Sequence, residues 1–159
     1  MLEVTVSLGI IALATVVMIN FLVLGLRISL VTLGRSYVRE EISNLSLFIT
    51  RDIRNANRIL TCDTMSCRFE QTNGTYEWRA CSANKLCKDK IVNGVSQNVF
   101  ITSTTVKINY VNFITGYTDS NNSERMTVIF TISASHSNES LGVDNVIRQT
   151  SVSTRNYEV

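Results

Sequence analysis

The sequence predicts an α+β fold, with one long N-terminal helix packed on a C-terminal antiparallel β head. Three observations predict it. Val4 to Leu26 is a run of 23 residues without a charge. An apolar stripe at helical spacing continues beyond that run to about residue 60. After Cys67 the period switches from helical to alternating, and an Asn-Gly pair separates the first two alternating runs. The chain therefore divides into an apolar helix of membrane-crossing length (1–27), an amphipathic continuation of the same helix (28–60) and a β head (61–159).

The apolar run is nearly all Val, Leu, Ile, Ala, Met and Phe, with Thr5, Ser7, Thr15 and Asn20 as polar interruptions. At the rise of an α-helix it covers about 35 Å, enough to cross a bilayer's hydrocarbon core. The core helix of a soluble domain would carry a polar stripe, and this run has none. A cleaved signal peptide would have a basic start and a shorter apolar stretch. Here the run follows Met1-Leu2-Glu3, and the first basic residue, Arg27, lies on its far side. Glu3 is the odd residue, because a carboxylate at the edge of an apolar run costs free energy unless something pairs with it. A helix N-terminus near the headgroups would favour it in part.

The second half of the helix is amphipathic. Val31, Val38, Ile42, Leu45, Ile49, Ile53, Ala56 and Leu60 form one stripe. Arg35, Arg39, Glu40, Glu41, Arg51, Asp52, Arg54 and Arg58 occupy the other faces, and Asp52 beside Arg51 and Arg54 reads as a solvated face with weak ion pairs. The chain has no proline, so nothing forbids a continuous helix of about 85–90 Å. Gly9, Gly25 and Gly34 are its weak points, and Gly25 is the expected soft spot of the apolar half.

Four cysteines, Cys62, Cys67, Cys81 and Cys87, cluster within 26 residues beyond the helix. An even count past a membrane-length segment reads as two disulfides in an oxidising space. The spacings CDTMSC and CSANKLC are wider than a zinc knuckle, and the single histidine, His136, is remote, so no metal site is expected. Local pairs (Cys62–Cys67, Cys81–Cys87) and nested pairs (Cys67–Cys81, Cys62–Cys87) both remain open. The turn-like Ser82-Ala83-Asn84-Lys85 favours the local set.

The head reads as four to seven strands. Arg68–Gln71 and Thr75–Cys81 flank Thr72-Asn73-Gly74 as a hairpin, with Phe69, Tyr76 and Trp78 taken as core residues. Leu86–Val92, Asn98–Thr102 and Thr104–Phe113 follow, the last with Val106, Ile108 and Tyr110 on one face. Met126–Ala134 alternates cleanly, and Val146–Thr154 closes the set. Thr118–Glu124 and Ser135–Asp144 are expected to be polar loops. A sheet laid on the amphipathic half of the helix buries both apolar faces.

The start, Met1-Leu2-Glu3-Val4-Thr5-Val6-Ser7-Leu8-Gly9-Ile10-Ile11-Ala12, resembles the N-terminal signature of type IV pilins and type II secretion pseudopilins. In that family a glutamate precedes an apolar helix just after the prepilin cleavage point. Thr50-Arg51-Asp52-Ile53-Arg54-Asn55-Ala56 is similar to the end of the long helix in the larger minor pilins. Gln149 to Asn156 is similar to their last strand. Together these motifs cover about a quarter of the chain. The resemblance implies the pilin fold and a structural subunit of a type IV pilus-like filament. Its precursor would sit in the cytoplasmic membrane, be processed by the prepilin peptidase and be handled by the pilus assembly machinery. Its partners would be identical or homologous pilins, and its final place a cell-surface filament with the apolar helix in the core. The resemblance also implies that Glu3 pairs with the methylated N-terminal amine of a neighbouring subunit. Glu3 lies nearer the chain start than the family's glutamate, so the methylated residue is not assigned to Met1. No Lys/Arg-rich leader precedes it, so the chain is read in its processed form. The absence of proline leans toward the minor-pilin type.

Other functions find less support in the residues. No GxSxG, HExxH, P-loop or dinucleotide-binding glycine pattern is present, so no enzyme and no cofactor are expected. His136 reads as a loop residue. Asp119 to Glu124 offers oxygen ligands without the EF-hand pattern and reads as a polar turn. Net charge is only +2, and Asp89 interrupts Lys85, Lys88 and Lys90, so no nucleic acid is expected. The alternative function is a non-polymerising adhesin or binding domain on a single membrane span. Glu3 argues against it, as does the lack of a Lys/Arg cluster after residue 26, where Arg27 stands alone.

Overall fold

A computed structural model describes residues 2–81, 84–118, 125–143 and 145–154. One helix, α1 (Leu2–Arg54), is 53 residues long, or about 80 Å. Among the described residues the head is all β apart from one 3-10 turn at Glu139–Leu141. β1 (Arg58–Cys62), β2 (Ser66–Gln71), β3 (Gly74–Cys81), β4 (Lys85–Val92) and β5 (Val95–Ile101) form an antiparallel meander in chain order. β6 (Val106–Thr118), β7 (Arg125–His136) and β8 (Val146–Ser153) form a second antiparallel sheet. The architecture is α+β, as the periodicity predicts.

The stripe on α1 makes the core. Val38, Ile42, Leu45, Ile49 and Ile53 are buried against Phe69, Trp78, Val128, Phe130 and Ile132. Side chains at successive stripe positions share one face, so a single row meets the inner faces of both sheets.

The helix stops at Arg54 rather than near residue 60. Asn55 still donates to Arg51 O (3.0 Å), but Ala56 tightens to a three-residue step onto Ile53 O (3.2 Å). Asn57 then leaves the helix and donates to Glu70 O on β2 (2.8 Å). Asparagine is a poor helix former, and the sheet supplies the backbone partners that another helical turn would have supplied. Ala56 keeps its place in the core. Leu60 does not: it is 40% exposed on β1, where Ile59 points inward instead. Reading residues 58–62 as helix also hid β1, so the head has eight strands among the described residues, not seven at most.

The Asn73-Gly74 hairpin forms as expected, pairing Phe69 with Tyr76 and Gln71 with Gly74. A second Asn-Gly pair, Asn93-Gly94, closes β4 onto β5 with positive φ at both residues (52° and 80°). This is the backbone that suits a tight two-residue hairpin, and glycine adopts it without steric cost.

Tyr110 does not share a face with Val106 and Ile108. The register with β7 slips between Ile108 and Tyr110, a bulge at Asn109. The extra residue flips the alternation, so Val111 and Phe113 are buried and Tyr110 is 51% exposed. The single covering sheet expected from the sequence is two. The chain leaves the first sheet after Thr102, whose N–H donates to Leu86 O, and Ser103 N then donates to Glu41 Oε1 on the helix (3.2 Å). Thr118 is the last residue of β6, not part of a loop, and His136 is the last residue of β7. The acidic run Asp119–Glu124 lies outside the described residues, as do Ser82, Ala83 and Asp144.

Candidate functional site

The candidate site is the uncovered half of α1. From Glu3 to Leu30 every side chain is exposed, and the most apolar stretch has a mean hydropathy of 2.5 with none of it buried by the head. The helix is long and apolar enough to cross a membrane. Its hydroxyls turn inward onto their own backbone: Ser7 Oγ donates to Glu3 O (2.9 Å) and Thr15 Oγ1 to Ile11 O (2.8 Å). Such i−4 bonds let Ser and Thr sit in an apolar environment at little cost. Glu3 occupies the first turn, where the helix's unsatisfied N–H groups favour an anion. A helix this apolar on all sides needs lipid or other helices around it.

The two glycines farther along behave differently. At Gly25 an added Cβ would meet nothing within 4 Å, so no packing within the chain requires glycine there. Its missing side chain leaves an open notch between Phe21, Leu22 and Leu26. At Gly34 a Cβ would lie 2.9 Å from Val143 Cγ2 and 3.7 Å from His136 Cδ2. Gly34 is buried where the 141–143 segment packs on the helix, and an added Cβ there would force the Val143 side chain to shift.

Below Gly34 the helix is clamped by polar contacts around the apolar stripe. Ser46 Oγ and Thr150 Oγ1 are 3.0 Å apart, and Arg148 Nη1 donates to Ser43 Oγ at 3.0 Å. Asp52 corrects the sequence reading most clearly. Its carboxylate does not pair with Arg51 or Arg54 on a solvated face. Oδ2 accepts from Trp78 Nε1 (3.0 Å) and from Lys88 Nζ (2.8 Å), and the Asp52 carbonyl accepts from Gln71 Nε2 (3.0 Å). The side chains of Asp52 and Lys88 are only 17% and 16% exposed. Lys88 Nζ also lies 4.8 Å from the centre of the Tyr76 ring, within cation–π range. No signal in the local sequence marks this link, because its members are 26 and 36 residues from Asp52.

The cysteines form local pairs. Cys62 bonds Cys67 (Cα–Cα 4.0 Å) across the β1–β2 turn, and Cys81 bonds Cys87 (5.9 Å) across the β3–β4 turn. The register excludes the nested set, since Cys67 faces Trp78 on β3 and Cys81 faces Lys85 on β4. Beside the second disulfide, Arg79 Nε donates to Asp89 Oδ2 at 2.6 Å, and the Asp89 side chain is buried. Lys88 and Arg79, two members of the basic group noted in the sequence, are thus committed to carboxylates within the fold. His136 lies beside Gly34, its Nδ1 accepting from Asn138 N–H.

The sequence reading missed one apolar surface on the head. Phe48 is half exposed and packs against Phe100 with its ring tilted, the centroids 5.8 Å apart, with half-exposed Ile101 and exposed Leu47 nearby in the chain. Phe48 and Leu47 fall off the core stripe of α1, so periodicity alone assigns them no partner. Phe48, Phe100 and Ile101, together with Glu41, Asn44 and Ser103, border an open groove between α1 and β5.

No protein-family model, no curated protein and no solved structure matches the chain.

Proposed function

We propose that the chain is a structural subunit of a type IV pilus-like filament, held in the cytoplasmic membrane before assembly and packed through α1 in the filament core afterwards. The observation that carries this reading is an uncovered apolar helix with a carboxylate in its first turn, continuous with a helix clamped into a β head. The N-terminal resemblance to type IV pilins and pseudopilins supports it. Lipid can satisfy the apolar surface in the membrane, and neighbouring helices can satisfy it in a filament. In the filament, Glu3 would pair with the N-terminal amine of an adjacent subunit, which offsets the cost of a carboxylate among apolar helices. The exposed apolar groove at Phe48 and Ile101 offers a further contact between heads.

Electron microscopy of cells with and without the gene, and with Glu3→Gln, tests this. We expect fewer or no surface filaments without the gene, and the same loss in Glu3→Gln although that variant still enters the membrane. Unchanged filaments in both strains would leave a single-span anchored domain as the function. Normal filaments in Glu3→Gln alone would remove Glu3 from assembly.

A further inference from the structure

We propose that, in the membrane, two copies of the chain pair side by side in parallel through Asn20. The proposal rests on the reading above that Val4–Leu26 lies in lipid.

The polar residues of the apolar run are not equivalent. Ser7 and Thr15 satisfy their hydroxyls on carbonyls of their own helix. Asn20 is exposed, and among the described residues its amide has no hydrogen-bond partner. It sits six residues before Leu26, about 9 Å inside the end of the run, too deep for so short a side chain to reach the headgroups. A carboxamide carries two donors and two acceptor lone pairs, so two copies of it satisfy each other. In hydrocarbon no water competes for those bonds.

The surroundings of Asn20 say which surface would meet the second copy. Gly9, Leu13, Val16, Asn20, Val23 and Arg27 recur at spacings of four, three, four, three and four. This is the seam of a left-handed pair of helices, in which Gly9, Val16 and Val23 take one set of alternate positions and Leu13, Asn20 and Arg27 the other. In that frame Asn20 takes the position where a single asparagine sets the register of two parallel helices. An added Cβ at Gly9 would meet nothing of its own chain, so the two backbones can approach closely at that end. Arg27 falls just past the apolar run, where water reaches it. All copies enter the membrane the same way round, so an in-register pair places the two Asn20 amides opposite each other. Such a two-fold pair is closed, whereas filament contacts are open-ended, so the pair belongs to the membrane pool.

Sedimentation equilibrium of the full-length chain in density-matched micelles tests the proposal, with head folding checked by Trp78 fluorescence. The wild-type chain should show a monomer–dimer equilibrium. Asn20→Leu should raise its dissociation constant roughly three- to thirty-fold, the range measured for interhelical polar contacts in membranes. Thr15→Leu, which removes a polar group already satisfied within its own helix, should leave it unchanged. A monomeric wild-type chain, equal dimerisation of Asn20→Leu, or equal weakening by Thr15→Leu would overturn the pairing. Alkaline extraction of the wild-type chain from phosphatidylcholine vesicles separates the two readings. Release overturns the membrane placement and the pairing with it. Retention together with tight dimers of Asn20→Leu overturns the pairing alone.

Discussion

The indole Nε1 of Trp78 donates to Asp52 Oδ2 at 3.0 Å, joining the last turn of the long helix to the middle of the five-stranded sheet. Lys88 closes the same carboxylate from the neighbouring strand at 2.8 Å. Asp52 is therefore the polar end of the clamp whose apolar part is the α1 stripe.

Removing that carboxylate should loosen the helix from the head. Asp52→Ala leaves an indole N–H and a largely buried ammonium unpaired, and should cost about 2–3 kcal/mol. Asp52→Asn keeps an acceptor for Trp78 and should cost less. Trp78 is the single tryptophan and is buried, so its emission reports the transition directly in denaturant titrations of the micelle-bound chain. The expected outcome is a lower midpoint with an unchanged slope.

Glycine substitutions should separate the two halves of α1. Gly34→Val drives a branched side chain into Val143 and should destabilise the head by roughly 1–3 kcal/mol in the same titration. Gly25→Ala meets open space and should leave the head untouched. It should stiffen the apolar half, since alanine is favoured over glycine in a helix by about 1 kcal/mol. Hydrogen exchange of the amides next to residue 25 would then slow by about five-fold.

The disulfide pairing is readable by mass. Trypsin cuts after Arg58, Arg68, Arg79, Lys85 and Lys88. Local pairing leaves Cys62 and Cys67 closed within the 59–68 peptide and joins 80–85 to 86–88. Nested pairing would instead tie 59–68 to both later peptides. Replacing either pair by serine should cost about 2 kcal/mol, as expected for closing so short a loop.

Arg79→Ala strands the buried Asp89 carboxylate without its guanidinium. A loss of roughly 2–4 kcal/mol is expected, discounted from a fully buried pair because Arg79 is partly exposed. Arg79→Lys should recover only part of it, because an ammonium lacks the planar fork. Thermal melts followed by Trp78 emission give the comparison.

Features governed by near neighbours are legible in the order of residues alone. The uncharged run to Leu26 is marked by its length and lack of charge, and the stripe from Val38 to Ile53 repeats at the helical period, which assigns its face without knowledge of partners. Asn73-Gly74 closes its hairpin for the same reason, as turn chemistry acts within a few residues. The clean alternation of β7 puts Val128, Phe130 and Ile132 in the core. The candidate site is equally legible, because Glu3 and the run behind it are contiguous.

The remainder depends on groups brought together from a distance. The helix ends at Arg54 because Glu70, on β2, takes the Asn57 N–H. The faces of β6 change at Asn109 because its register against β7 slips there. Asp52 leaves solvent because Trp78 and Lys88 arrive beside it. The sequence by itself determined an apolar spine with a carboxylate at its tip and a β head. Only the tertiary structure decided where the spine stops, which residues clamp it and that two sheets share the covering. Periodicity specifies which face is apolar, but a hydrogen bond or ion pair exists only where folding places both partners within about 3 Å.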